Sequence, residues 1–217
     1  FKVGDSIFAL TLKAGFGAHA EYKCLPEKGI VAKKPVNITS EEAAGVPTGG
    51  ITAFCIIKKA NIQRGQRVLI YGASGGVGTF AVQIAKYFGA EVTGVCSTAN
   101  LELVKSLGAD HVIDYTQEDF TQNGQTYDVV FDAVGKLLPE QGKKSLNNGG
   151  TYINVLTASV KIKLDDLIAL KDLIEAGEIK PVVDRCYPLD KTADAHRYVE
   201  TGRKKGSVVI TIDSNHH

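Results

Sequence analysis

Between residues 67 and 78 an apolar run gives way abruptly to glycine: Arg67-Val68-Leu69-Ile70-Tyr71, then Gly72-Ala73-Ser74-Gly75-Gly76-Val77-Gly78. The first part reads as a buried strand, and the second opens a helix from about Val77 to Phe88. The bare start of a helix offers backbone N–H donors and positive potential, which suit a diphosphate. A side chain at Gly75 or Gly76 would collide with such a group, and Gly78 lets the helix pack closely on the strand. Ala73 stands where the usual fingerprint has its first glycine, which is tolerable if the turn keeps negative φ. The turn predicts dinucleotide binding, with Ser74, Gly75, Gly76 and Val77 as candidate cofactor-binding residues.

The alternation continues beyond the turn. Strands are expected at 91–96, 111–114, 127–132 and 150–155, with a helix near 100–107. Strands and helices alternating at this spacing imply a doubly wound parallel sheet of the Rossmann type, helices on both faces. Before it, 7–10 and 21–25 read as strands. A helix opens at Thr39-Ser40-Glu41-Glu42, capped by Thr39 or Ser40, and runs to Ala60 with a glycine interruption at Gly49-Gly50. After the sheet come a helix over 165–176 ended by Gly177, an extended stretch at 182–187, a helix at 192–200 and a strand at 207–212.

The second strand ends at Val95-Cys96-Ser97-Thr98-Ala99-Asn100. Domains selective for NAD place an Asp or Glu here to grip ribose hydroxyls, and this window holds none. A carboxylate beside a 2′-phosphate would cost on the order of 1–4 kcal/mol at ~4 Å. Its absence favours NADPH. Ser97, Thr98 and Asn100 are candidate donors to the phosphate, and Tyr115 adds another. No Arg or Lys stands in the window, so the alternative is a polar turn that discriminates poorly.

Composition narrows the partners. The formal net charge of +1 gives no reason to expect nucleic acid or an anionic membrane. No apolar run reaches the roughly 20 residues of a membrane span. Cys24, Cys55, Cys96 and Cys186 are widely spaced, without the short intervals of a zinc hook or redox dithiol, and read as reduced thiols in a cytoplasmic setting. There is no Met, and the chain opens at Phe1, so an earlier N-terminal part is expected. His216 and His217 read as the remnant of a purification tag at 214–217.

With these pieces in hand, the sequence resembles the medium-chain dehydrogenase/reductase superfamily, and within it the zinc-independent quinone oxidoreductase branch. The resemblance is carried by Gly4-Asp5, Gly17 to Tyr22, Gly49 to Ala53, Gly72 to Gly78, Leu107 to Asp110, Val112 to Tyr115, Asp132 to Gly135, Gly149 to Tyr152 and Ile179 to Arg185. It implies a GroES-like, β-rich catalytic domain, here a remnant formed by 1–40 and 183–213, around an NADP-binding domain at 41–182. It also implies roles. Thr52 faces the nicotinamide or the phosphates, and Gly75, Gly76 and Val77 cover the diphosphate. Ser97, Thr98 and Tyr115 surround the 2′-phosphate. Ala133 and Val134 line the path from adenosine to nicotinamide, which Asn154 and Leu156 approach.

Zinc-dependent relatives carry a four-cysteine lobe after the Gly-Asp strand and a Cys or Asp four residues before the threonine matching Thr52. Here that position is Thr48, a poor zinc ligand, so no metal is expected. The stretch between the fifth strand and the next helix is shorter than in the family, which points to missing chain near 158–160. His19, His111 and His196 read as surface residues, Cys96 as a small core residue and Asp132 as structural, so no catalytic residue is assigned. Two readings stand. One is an NADPH-dependent reductase of a quinone or an α,β-unsaturated carbonyl, dimeric as in the family. The other is a nucleotide-binding redox sensor or scaffold without turnover.

Overall fold

The computed structural model describes residues 1–212; the stretch read as a tag remnant lies outside them. Two compact units divide the chain, one of Thr52–Lys161 and one of Phe1–Ile51 with the described part of Ile162–His217.

The first strands are β1 (Ile7–Ala9) and β2 (Val31–Lys33), antiparallel, with Phe8 opposite Ala32. The expected strand at 21–25 is irregular, and Tyr22 is 84% exposed. β1 pairs with β2 alone, the ladder extended by Leu10 N–H donating to Ile30 O at 2.9 Å and Lys34 N–H to Ser6 O at 2.9 Å, and 21–25 joins neither strand. An alternating pattern is a context-dependent signal, and without a buried face it does not make a strand. Helix α1 spans Ser40–Ala60. Thr39 is its cap: Oγ1 accepts from Glu42 N–H at 3.2 Å while Glu42 Oε2 accepts from Thr39 N–H at 2.9 Å. The helix runs unbroken through Gly49-Gly50, where an interruption was expected, and through Pro47. With Gly45 as well, three glycines and a proline cost roughly 1 kcal/mol each and 3 kcal/mol against alanine. Val46, Ile51, Ile56 and Ile57 are at most 1% exposed, and each such burial is worth about 1.5–3 kcal/mol, so burial wins.

The unit from Thr52 holds the parallel sheet. Its strands are β3 (Arg67–Tyr71), β4 (Glu91–Cys96), β5 (His111–Asp114), β6 (Tyr127–Asp132) and β7 (Leu146–Asn154), in the order β5-β4-β3-β6-β7. Between them lie α2 (Gly78–Tyr87), α3 (Leu101–Ser106) and α4 (Pro139–Lys144). Leu69, Val95, Ile113 and Val130 join Phe120, Tyr127 and Leu137 in one cluster. Their register neighbours Val68, Ile70 and Phe131, on the opposite face, are fully buried too. A sheet covered on both faces explains why its strands read as continuous apolar runs. A Cβ on Gly94 would strike Val104 of α3, whereas one on Gly142 of α4 would strike Tyr152, which packs on the other face. The helices thus cover both faces, as expected.

Helix α4 was not anticipated. At six residues, with Pro139 at its start and Gly142 inside, it is too short to carry a periodic signal. Strand β7 begins four residues before the expected 150, because the register shifts between Tyr127 and Val129 and the bulge takes in Asn147-Asn148-Gly149-Gly150. Those residues carry turn chemistry and hid the strand.

The remaining elements are α5 (Leu164–Glu175), β8 (Val183–Pro188), α6 (Thr192–Glu200) and β9 (Ser207–Thr211). Leu167, Leu170 and Ile174 form the buried stripe of α5, and Gly177 follows its end at φ 78°. β8 and β9 pair in parallel across α6, and Tyr198 of α6 donates to Asp184 Oδ2 at 2.6 Å. None of the helices among the described residues is long and apolar enough to cross a membrane.

Candidate functional site

The order of the sheet reverses at β3, which has β4 on one side and β6 on the other. In open α/β sheets of this order the ligand crevice lies beyond the carboxyl ends of the two strands at the switch point, here β3 and β6. The glycine turn fills the β3 exit. Gly72 has φ 79°, its N–H and that of Ala73 both donate to Val95 O at 3.0 Å, and Gly75 N–H returns to Gly72 O at 3.1 Å. A Cβ on Gly72 would lie 2.7 Å from Val134 Cγ1, and one on Gly78 would lie 2.8 Å from Ala73 Cα and overlap Gly72 O. These two glycines are required by the protein's own packing. Gly75 is different. A Cβ there would meet nothing nearer than 3.4 Å, neither Gly75 nor Gly76 has positive φ, and Gly75, Gly76 and Val77 are half-exposed. The fold itself does not demand glycine at 75, and a bare backbone there leaves room for close approach from outside. Ala73 keeps negative φ and is fully buried, so the fingerprint's departure there carries no strain.

Beyond β4 and β5 the polar side chains are already engaged with one another. Thr98, exposed and expected as a phosphate donor, donates its hydroxyl to Asp114 Oδ2 and lies 3.1 Å from Thr116 Oγ1. Asn100, expected as a donor too, is only 8% exposed. Its Nδ2 reaches Ser74 Oγ at 3.1 Å and Ser97 Oγ at 3.2 Å. Neither side chain points its donors outward, because a neighbouring carboxylate captures one and two serine hydroxyls the other. Asp114 escaped the sequence reading because the search for a carboxylate followed β4 alone. Parallel register sets Asp114 opposite Cys96, so it arrives from the next strand. The Thr98 hydroxyl, and after it Thr116, holds the Asp114 carboxyl below its ordinary value. Ser97 is half-exposed and Tyr115 is 55% exposed, its ring centroid 6.5 Å from that of Tyr71.

On the other side of the crevice Asp132 organises the loops. Fully buried at the end of β6, its carboxylate accepts from Val134 N–H at 3.1 Å, Gly135 N–H at 2.8 Å, Leu137 N–H at 2.9 Å and Asn154 Nδ2 at 3.1 Å. Asn154 Oδ1 in turn accepts from Leu156 N–H at 2.9 Å. One carboxylate thus shapes both the Ala133-Val134 and Asn154–Leu156 exits. With its oxygens occupied and no exposure it cannot act as a general base. Ala133 is buried; Val134 and Leu156 are exposed. Thr52 stands on α1, within the helix expected there.

His19, His111 and His196 are exposed. Burial, and then the Asp114 charge, push the Cys96 thiol up to about 11, so it stays protonated at neutral pH. Among the described residues no group of three or more His, Cys, Asp or Glu is arranged to hold a metal, and none of the four cysteines is in a disulfide.

Residues 76–180 match the zinc-binding dehydrogenase family model, and 158–210 match a second model of the same description. The chain is 40% identical to 2-methylene-furan-3-one reductase of Solanum lycopersicum, over 96% of this chain and 58% of that protein. It is 37% identical to the chloroplastic NADPH-dependent alkenal/one oxidoreductase of Arabidopsis thaliana, with the same coverage. It is 31% identical to the chloroplast envelope quinone oxidoreductase homolog of Arabidopsis thaliana, over 97% of this chain and 73% of that protein. The chain belongs to the medium-chain dehydrogenase/reductase superfamily. Among solved structures of that superfamily, the quinone oxidoreductase of Coxiella burnetii superposes with a TM-score of 0.78 at 27% identity, covering 84% of this chain and 64% of the other. As a medium-chain dehydrogenase/reductase, the chain spans 58% of the length of the tomato and alkenal/one relatives. The alignment with the quinone oxidoreductase homolog extends over 248 residues, more than the 217 here, so that relative carries residues this chain lacks.

Proposed function

We propose that this chain is the NADPH-binding part of a reductase that transfers hydride to a quinone or an α,β-unsaturated carbonyl, without zinc. The observation that carries the reading is Gly75, a glycine the fold does not require, at the switch point of a parallel sheet and the start of α2. The fit of a dinucleotide to this edge is supported further by the buried, unpartnered Asn100 Oδ1 among the described residues. In this reading Gly75, Gly76 and Val77 hold the diphosphate at the first turn of α2, whose leading N–H groups have no acceptors within the helix. Ser74, Ser97 and Tyr115 meet the 2′-phosphate. Thr98 and Thr116 tie down the Asp114 carboxylate so that its charge is turned from the anion. Ala133 and Val134 line the path to the nicotinamide, with Asn154, Leu156 and Thr52 at its far end. Bound NADPH supplies the hydride; the chain's residues orient it and keep water out. The printed names of the relatives at 40% and 37% identity support enone or alkenal acceptors. Thr48, which is no metal ligand, supports the absence of zinc.

The residues lacking relative to the quinone oxidoreductase homolog fall, in this proposal, near 158–160. A homodimer belongs to it as well: β7 stands at the sheet's open edge, where a further strand adds most readily. A cytoplasmic location is supported by four cysteines that form no disulfide with one another.

The test is NADPH oxidation by the complete protein, followed by absorbance, with a panel of quinones and enals. Turnover of at least one class is expected. Saturable NADPH binding with no oxidation of any acceptor would favour the sensor or scaffold and overturn the reductase.

A further inference from the structure

We infer that Asn100 is a positioning residue: it turns the hydroxyl hydrogens of Ser74 and Ser97 outward, making them a matched pair of donors for the cofactor's 2′-phosphate. The inference rests on the reading of this edge as an NADPH site.

Ser74 and Ser97 leave the ends of adjacent strands, β3 and β4, and one amide nitrogen lies within hydrogen-bond reach of both oxygens, at 3.1 and 3.2 Å. Asn100 is 8% exposed, and its own N–H donates to Ser97 O at 2.9 Å, which fixes the short turn that carries it. A hydroxyl has one hydrogen to give and lone pairs to receive. Where the amide N–H groups point at both serine oxygens, each serine keeps its hydrogen for a third group. The reverse orientation of the amide would consume both hydroxyl hydrogens on Oδ1 and bury an NH2 with two orphaned donors. The observed orientation leaves a single orphan, the acceptor Oδ1, with no partner among the described residues.

Ser74 is 9% exposed and Ser97 half-exposed, so the pair meets the outside through a narrow opening, and two hydroxyl donors there select for an anion where no Arg or Lys stands between Ser97 and Val104. The diphosphate has its own seat at the start of α2, so the anion left for this pair is the phosphate on the adenosine ribose. A ribose hydroxyl can accept from the same donors, but a bond to a charged phosphate oxygen is roughly twice as strong. Asn100 therefore acts on discrimination between NADPH and NADH more than on affinity for dinucleotide as such.

The experiment titrates the chain and its Asn100→Ala and Asn100→Asp variants with NADPH and with NADH. Alanine removes the orienting donors. Aspartate keeps the size of the side chain but presents acceptors, drawing both hydroxyl hydrogens inward. In both variants the NADPH Kd is expected to rise about tenfold or more, while the NADH Kd changes less than about threefold. The ratio of the two constants is the decisive quantity, because a loss of folded protein weakens both by the same factor. Equal weakening of both nucleotides, or loss of both, would overturn the inference and leave Asn100 a role in the fold alone. An unsubstituted chain that binds neither nucleotide would instead overturn the NADPH reading itself.

Discussion

Glycines within one turn answer to different constraints, and substitution separates them. Gly78 is held by packing, since a Cβ would lie 2.8 Å from Ala73 Cα and overlap Gly72 O, both backbone groups that cannot swing aside. Gly78→Ala is expected to destabilise the chain by about 1–3 kcal/mol, the usual cost of forcing a methyl into a packed site. Denaturant unfolding measures it, and an unchanged midpoint would mean that α2 does not sit as closely on β3 as described. The role of Gly78 was legible in the sequence, because strand, turn and helix in succession dictate where the close approach falls. The orientation of Thr98 and Asn100 was not. Both stand in the polar window after β4, but what their donors face depends on Asp114, on β5, and Ser74, in the turn after β3. A window read along one strand cannot see its neighbours.

Elements here were legible in proportion to how much apolar surface they bury. β3, β4 and β6 fall where their runs of Val, Ile, Leu and Phe predict, because each is covered on both faces, and edge strand β5 falls where expected with Ile113 alone buried. The misreadings lie where burial is partial: the exposed 21–25, the bulged start of β7 and the single short helix α4. The junction of α2, β4 and β5 is closed by Asp110, which accepts from Lys86 Nζ at 2.7 Å and from Val92 N–H at 2.7 Å. Burial raises the Asp110 carboxyl, but Lys86 and Val92 together outweigh it and hold it below its ordinary value. A carboxyl depressed on folding contributes stability above its unfolded value, about 4, and that contribution fades as pH falls through the lower folded value. Both side chains are about one-third exposed, so the contribution is modest. Melting temperature followed from neutral pH into this acid window should fall less steeply for Asp110→Asn than for the parent chain. Identical slopes would remove Asp110 from the account of acid sensitivity.

At the scale of the whole molecule, the chain carries a glycine turn at the switch point of a sheet of five parallel strands, set in one of two compact units. Family and fold class were legible because many short motifs recur in a fixed order along the chain. The acceptor pocket was not, since the chain spans 58% of its relatives with known acceptors in their names and no side chain at the edge is placed as an acid or base. The chemistry thus depends on whether the turn from Gly72 to Gly78 seats a diphosphate. A fluorescence titration of NADPH against the chain and its Gly76→Asp variant measures this most directly. Saturable binding by the parent and none by the variant, with both melting alike, is the predicted result, since aspartate would put a like charge into the phosphate seat. Retained affinity in Gly76→Asp would contradict the account.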